Sequence, residues 1–213
     1  TAWTSLLNLK TKPKRETNTM IRFNAQKLAA VSLAQSTEST RYYLCGVYFD
    51  GSRAVATDGH IMTLANDEAV NNETPGIYPI SKKTLAAMKG RFADHVEISD
   101  GMIKVLNDDL NNPTILHIEP CQEIDGTFPD YARVIPSYEE TETPASFAAF
   151  GEIILGKLVA TAKILGKKSS VRIMGKDINS PHIVRYKNES IFSVAMPIRC
   201  EEAAIGTPSW YSN

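Results

Sequence analysis

One pattern occurs three times along the chain and limits what it can fold into. At residues 21–30, 77–87 and 147–160 the sequence reads IRFNAQKLAA, IYPISKKTLAA and FAAFGEIILGKLVA. Each stretch predicts a strand, then a polar or glycine break, then a helix with leucine and alanine. Further β-rich stretches follow, so the chain predicts three β-α-β-β-β units. One such unit cannot bury its sheet face alone. We therefore expect units to pair, although the number of units in this chain is odd.

Asp-Gly pairs predict tight turns between the β-rich stretches. Asp50-Gly51 lies between YYLCGVYF and SRAVAT, and Asp58-Gly59 precedes HIMTLA, which predicts a three-stranded meander. Asp100-Gly101 predicts a hairpin between HVEIS and MIKVLND. The stretch NDEAVNNETPG reads as a polar loop, and Ser81 is predicted to cap the second helix, which Gly90 ends.

Several classes of function have no support in the sequence. No apolar run approaches the roughly 18 residues that cross a bilayer, and three distant cysteines favour a reducing compartment over a disulfide framework. The four histidines lack the spacing of metal ligands, and neither a phosphate-binding glycine loop nor a nucleophile motif is present. We expect a cytoplasmic, non-catalytic protein without metal or cofactor.

Basic residues gather on or beside the three predicted helices, although the formal net charge is only −1. Such a stripe would bind phosphates in a salt-dependent way that is blind to base sequence. Lysine is also a good helix former on a solvated face, and that simpler interpretation stays open. The candidate DNA-binding residues are Lys27, Lys82, Lys83, Lys89, Arg91, Lys157, Lys163, Lys167 and Lys168.

Two further segments suggest an apolar groove. FPDYARVIP joins two predicted units, and Phe128 and Tyr131 could be packing anchors of a connector or one wall of a binding site. SVAMPIR carries Pro197, which indicates a strand end or an exposed edge, where peptides bind. His60 in TDGH could in turn be a functional imidazole or part of a simple turn.

Three segments together resemble signature segments of the bacterial sliding clamp family, the beta subunit of DNA polymerase III. They are RYYLCGVYFDG…AVATDGH, GTFPDYARVIP and SVAMPIR, in that order along the chain. The resemblance implies an α+β fold of the DNA-clamp (processivity) type, with three β-α-β-β-β half-units, antiparallel sheets and helices on one face. A subunit of that family has three domains of two halves each, and two subunits close a ring around duplex DNA.

The resemblance also implies a domain organisation. Residues 20–136 resemble a complete middle domain, and residues 145–200 resemble only the second half of the last domain. The remaining parts are a flexible arm at 1–19, a linker at 137–144 and a tail at 201–213. The family's first domain and the first half of its last domain have no counterpart, which agrees with an odd number of units.

In the family, a groove between the middle and last domains receives short apolar motifs from polymerases, the clamp loader and repair enzymes. Two departures affect it here: Ile61 stands where the family has arginine after TDGH, and thirteen residues follow MPIRC. Carried over position by position, the groove residues are Leu44, Thr57, Gly59, His60, Pro129, Arg133, Val134, Val194, Ala195, Met196, Pro197, Ile198 and Arg199.

The resemblance implies a bacterial or phage-encoded processivity factor that binds double-stranded DNA and peptides of DNA polymerase and clamp loader. Twelve half-units close the family's ring, so a homo-oligomeric ring would need four chains of three units. The alternative is a monomeric adaptor or inhibitor that keeps the groove and competes for clamp-binding motifs without encircling DNA.

Overall fold

The computed structural model describes residues 20–68, 72–109, 112, 114–137, 148–166 and 169–199. Within them, three successive units are present, and the first two follow the predicted order of elements. No helix of these ranges is long and apolar enough to span a bilayer. The predicted arm and tail, the linker apart from Ser137, and Lys167 and Lys168 lie outside the described residues.

The first unit contains β1, a short helix and a meander, as the sequence predicted. Its elements are β1 (Ile21–Asn24), α1 (Ala25–Ser32), β2 (Val47–Gly51), β3 (Arg53–Thr57) and β4 (Ile61–Asn66). Asn24 caps α1 by accepting a hydrogen bond from the Lys27 amide at 3.0 Å. One prediction is wrong here: the start of YYLCGVYF is a 3₁₀ segment, Ser39–Leu44, and not strand.

The second unit has β5 (Asn72–Tyr78), α2 (Lys82–Met88), β6 (His95–Ser99), β7 (Met102–Asn107) and β8 (Thr114–Pro120). Ser81 caps α2 by accepting from the Lys83 and Thr84 amides, both at 3.1 Å, as predicted. The hairpin at Asp100-Gly101 is also confirmed, with both residues at positive φ. The polar loop prediction is wrong from residue 72 onward, because pairing with β2 makes that stretch a strand.

The third unit contains α3 (Glu152–Ile164), β9 (Val171–Met174), β10 (His182–Tyr186) and β11 (Ile191–Ala195). In place of the strand predicted before α3, the described residues form a single antiparallel bridge between Ala149 and Ile198.

The first two units exchange their leading strands. β1 pairs with β6 of the second unit, and β5 pairs with β2 of the first, so the two units form one domain, here called the paired domain. The result is a four-stranded sheet, β1-β6-β7-β8, and a seven-stranded sheet, β5-β2-β3-β4-β11-β10-β9. The third unit therefore extends the sheet of the first through β4 and β11.

The three helices lie side by side with α1 in the middle, because α1 contacts both α2 and α3. Phe23, Leu28 and Phe49 of the first unit share one buried core with Val105 of the second and Leu158 of the third. The joint between the first and third units also holds a buried polar chain. Ser193 hydrogen-bonds Thr63 at 2.8 Å and Tyr186 at 2.9 Å.

Candidate functional site

An apolar groove of about 420 Å³ opens where the first unit, the 121–137 connector and the third unit meet. Segments that are far apart in sequence form its walls: Arg41–Leu44, 57–62, 128–134 and the end of β11. Eight predicted groove residues line it: Leu44, Thr57, Gly59, His60, Pro129, Val134, Val194 and Met196.

The TDGH turn forms one rim of the groove, and its geometry is fixed by side-chain hydrogen bonds to the backbone. Asp58 Oδ1 accepts from the amides of His60 at 2.8 Å and Ile61 at 3.0 Å. Gly59 has φ +93°, a conformation that favours glycine. The amide of Met196 donates to the carbonyl of His60 at 2.9 Å, which ties the end of β11 to the turn. His60 itself is exposed at the rim.

The second Asp58 oxygen, Oδ2, accepts a hydrogen bond from Lys157 Nζ of α3 at 2.6 Å. Burial of the Asp58 carboxyl opposes its ionisation, but the hydrogen bonds from Lys157, Ile61 and His60 outweigh burial and hold its pKa below the ordinary value. Asp58 therefore both shapes the turn and connects the first unit to the third.

The 121–137 connector forms the opposite wall and is anchored by aromatic contacts. Phe128 stacks on Tyr48 with ring centroids 4.9 Å apart. The Tyr131 hydroxyl donates to Asp50 Oδ2 at 2.9 Å and accepts from Arg53 at 3.2 Å. Phe128 and Tyr131 thus act as packing anchors and also line the groove, and the binding role of this wall stays a prediction.

Five predicted groove residues do not line this groove. Arg133 pairs with Asp130 at 2.8 Å and lines a neighbouring cleft, and the Ala195 side chain is fully buried between its sheet neighbours. Pro197, Ile198 and Arg199 follow the strand and lie beyond the lining residues, with Ile198 bridged to Ala149. In a strand, alternate side chains point to opposite faces, which is why Val194 reaches the groove and Ala195 does not.

Other lining residues were not among those carried over from the family, although the departure at Ile61 was expected to affect the groove. Arg41 and Tyr43 lie in the 3₁₀ segment before Leu44, while Ile61 and Met62 begin β4. The sequence signal was their position beside predicted residues in the same motifs. Asp130 also lines the groove and places a carboxylate on the rim.

The basic residues of the helices separate into two groups. Lys27 donates to the Asn66 carbonyl at 2.8 Å and lies 3.6 Å from Asp67, so it belongs to an internal ion pair, as does Lys157 with Asp58. The other described candidates are exposed: Lys82, Lys83, Lys89, Arg91 and Lys163.

Three of the exposed cations share a concave surface on the helix side. Lys89, Arg91 and Lys163 line a depression of about 930 Å³ between the ends of the three helices. Asp94 and Asp108 line it as well, so the surface is mixed in charge with an excess of cations. In the described part of the chain, no group of three or more His, Cys, Asp or Glu side chains could hold a metal ion.

The sequence of this chain was compared with those of known proteins. No family model matches the chain. The beta sliding clamp of Caulobacter vibrioides (strain NA1000 / CB15N) is 34% identical over 137 residues, which cover 57% of this chain and 33% of that protein. This chain therefore matches only about a third of the length of that curated relative.

Solved clamp structures share the fold at lower sequence identity. A Pseudomonas aeruginosa DNA polymerase sliding clamp with ligand matches with a TM-score of 0.59 and 18% identity, covering 86% of this chain and 66% of that chain. The C. crescentus beta sliding clamp, with polyethylene glycol bound to its proposed beta-motif tethering region, matches with a TM-score of 0.51 and 21% identity, covering 88% of this chain and 68% of that chain. The chain has the DNA-clamp fold, and part of its sequence is similar to the bacterial beta sliding clamp.

Proposed function

We propose that this protein is a non-catalytic, sliding-clamp-like processivity factor in DNA replication. It would bind duplex DNA on its basic helix side and hold a polymerase or clamp-loader peptide in the groove. The observation that carries the proposal is the convergence of three separate motifs on one apolar groove of about 420 Å³. Such a role belongs to the cytoplasm of a bacterium, whether the protein is encoded by the bacterium or by a phage.

The groove suits a short apolar peptide. Leu44, Met62 and Val194 supply an apolar floor that is largely buried, and His60 and Asp130 supply polar groups at the rim. Peptide sites usually combine an apolar floor with a few polar groups that fix orientation. Arg41 adds a cation to the rim, although a salt bridge to Glu38 at 2.7 Å already engages it.

The helix side suits a phosphate backbone. Lys82, Lys83, Lys89, Arg91 and Lys163 are exposed there, and none of the five forms a salt bridge with a described carboxylate. Contacts of this kind give affinity without base readout and weaken as salt rises. A homo-oligomeric ring of four chains would place these helices around the duplex.

The second candidate function is a monomeric adaptor or inhibitor that binds clamp motifs without encircling DNA. The observation in its favour is that Lys27 and Lys157 are engaged in internal ion pairs, and that Asp94 and Asp108 face the same concave surface as three of the cations. Fewer available cations lower the expected affinity for DNA.

The groove is tested with the His60→Ala variant and a fluorescein-labelled peptide that carries an apolar clamp-binding motif. We expect the dissociation constant to rise by about 3- to 10-fold, as is common for an interface contact. Lys176→Ala is the matched control, because Lys176 is exposed nearby and lines the neighbouring cleft and not the groove. Equal peptide affinity of His60→Ala and the parent protein would reject this corner of the groove.

DNA binding is tested with two double charge reversals. Lys83→Glu with Lys163→Glu alters the helix side, and Arg172→Glu with Arg185→Glu alters exposed, register-paired positions on the opposite face of the seven-stranded sheet. We expect only the first pair to weaken binding to a nicked circular duplex and to reduce its salt dependence. Binding that is lost when the circle is linearised supports a ring; equal loss from both pairs would refute the helix-side assignment.

A further inference from the structure

Among the described residues, the third unit lacks the neighbour that each unit of the paired domain has. In the paired domain, α1 packs against α2, and the leading strand of each unit adds to the sheet of the other. β1, for example, covers the edge of β6. These contacts show what a unit of this fold requires for its helix flank and its sheet edge.

Equivalent leucines show the difference most clearly. Leu28, Leu85 and Leu155 each lie four residues after the N-cap of their helix. Leu28 is 0% exposed and Leu85 packs partly buried on the core, whereas Leu155 is 42% exposed. One turn later, Val159 is 47% exposed, whereas Ser32 at the same place in α1 is buried.

Leu155 and Val159 lie on the flank of α3 that points away from the first unit. The other flank carries Lys157, which pairs with Asp58, and Ile164, whose carbonyl accepts from Gln26 at 2.6 Å. Side chains four residues apart share one flank of a helix, so Leu155 and Val159 form one apolar strip. The first unit cannot cover that strip, because it already occupies the opposite side.

The free edge of the sheet lies on the same side as the strip. β9 is at the far end of the seven-stranded sheet from the first unit, and among the described strands it pairs only with β10. Its position in the third unit corresponds to that of β6 in the second, whose edge β1 covers. Val171 at the start of β9 is also partly exposed, which continues the apolar strip onto the sheet.

The missing neighbour is not located between the second and third units. Only ten residues separate Ser137 from Ala148, far fewer than any of the three units contains. The other open edge with exposed apolar side chains, β8, corresponds to β4 and β11 and not to a leading strand. The third unit of a second copy of the chain, by contrast, offers a helix of the same kind. A two-fold axis can place that helix beside α3 of the first copy.

We propose that two copies of this chain pair through their third units, each completing the other into a full two-unit domain. The contact is isologous: the Leu155 and Val159 flank of one copy packs on the same flank of the other, beside the β9 edges. A pair of chains then holds six units, or three complete domains. This proposal concerns assembly and does not rest on the DNA or peptide function.

The assembly is tested with the full chain by light scattering after size exclusion, at concentrations up to about 100 µM, a range that reaches weak protein interfaces. We expect a dimer or an even multiple for the parent protein. Leu155→Glu with Val159→Glu should shift it to smaller species by raising the dissociation constant at least about tenfold, because the contact would bury unpaired charges. Circular dichroism should be unchanged, since both side chains are exposed in the single chain.

Ile153→Glu is the matched control. Ile153 is 70% exposed on the same helix, but it lies two residues from Leu155 and therefore on a different flank. Amide exchange of Val171–Met174 gives a second readout, since pairing of the β9 edge should slow exchange as concentration rises. A parent protein that stays monomeric at every concentration overturns the proposal, as does equal loss of assembly from Ile153→Glu. Peptide binding should persist in the monomeric variant, which separates this test from that of the groove.

Discussion

The paired domain and the third unit derive from the same repeat but bury their helices to different extents. Six of the eight residues of α1 are buried, compared with four of the thirteen residues of α3. Both helices are apolar on the face toward the sheet, so composition does not explain the difference. α1 lies between two helices, whereas α3 has one described helical neighbour. Most helix stability in a protein comes from such packing, and a unit without its sister has less of it.

The two regions also differ in how they are joined. Within the paired domain, leading strands cross between units and share the core. The third unit is held to the first by the β4–β11 ladder, the buried Thr63–Ser193–Tyr186 chain and the Asp58–Lys157 ion pair. The third unit also shares the buried core through Leu158. The joint thus combines apolar and polar contacts, and it also forms one side of the groove. Its strength therefore determines whether the groove keeps its shape.

The largest expected effect concerns the equivalent leucines. Leu28→Ala should lower the free energy of unfolding by about 2–5 kcal/mol, because it leaves a cavity in a fully buried site. Leu155→Ala should change it by less than about 1 kcal/mol in dilute protein, where the strip is exposed. Urea unfolding followed by circular dichroism measures both variants. Equal losses would mean that α3 is covered within a single chain, which would erase the contrast between the two regions.

The second prediction concerns the joint between the first and third units. The pKa of Asp58 is held below its unfolded value, so its ionised form contributes stability at neutral pH. That contribution is fully present above the unfolded pKa and is lost as pH falls through the folded pKa. Asp58→Asn removes the ion pair with Lys157 and should cost about 1–3 kcal/mol at pH 7.

Unfolding free energies measured across the acidic range check this prediction. The difference between the parent protein and Asp58→Asn should be largest at neutral pH and should shrink on acidification. Asp125→Asn is the control, because that carboxylate is exposed in the 121–137 connector, away from the ion pair with Lys157. A difference that stays constant with pH would show that Asp58 contributes through the shape of the turn and not through its charge.

Local signals in the sequence were sufficient for the turns, the caps and the order of elements. Asp100-Gly101 and Ser81 needed only their neighbours to be recognised, and both behave as predicted. The strand character of β5 below Ile77 could not be recognised in this way. It arises from pairing with β2, and a polar stretch becomes a strand when a partner edge is available.

The candidate site was predictable where motif residues lie in one short segment, as in the TDGH turn. It was less predictable at strand ends, where burial decides: Val194 lines the groove, but Ala195, one residue later, is covered. The pairing of Lys157 with Asp58, 99 residues apart, could not be read from either local pattern. Exposed lysines and paired lysines cannot be told apart in the sequence until tertiary contacts are known, and the contacts reduced the set of candidate DNA-binding residues.

The smallest expected effect concerns the helix caps, which again separate the two regions. In the paired domain, the Ser81 hydroxyl accepts from two amides of α2 and also donates to Glu119 of β8 at 2.5 Å, so it fixes the helix to its sheet. Ser81→Ala should therefore cost about 1 kcal/mol of unfolding free energy. The third unit has Gly151 at the N-cap of α3, where no side chain can accept from the first amides.

Gly151→Ser should accordingly stabilise the third unit by a few tenths of a kcal/mol, because serine is a better N-cap than glycine. The site accommodates a side chain: its φ is −62°, and an added Cβ would approach Ile198 at 3.9 Å. The gain should be seen in the amide exchange of α3 and not in that of α1, since the units unfold locally to different extents. A Gly151→Ser variant less stable than the parent protein would show instead that the backbone entering α3 is held by contacts other than capping. The absence of a second helical neighbour among the described residues, and not the absence of a cap, would then explain the lower burial of α3.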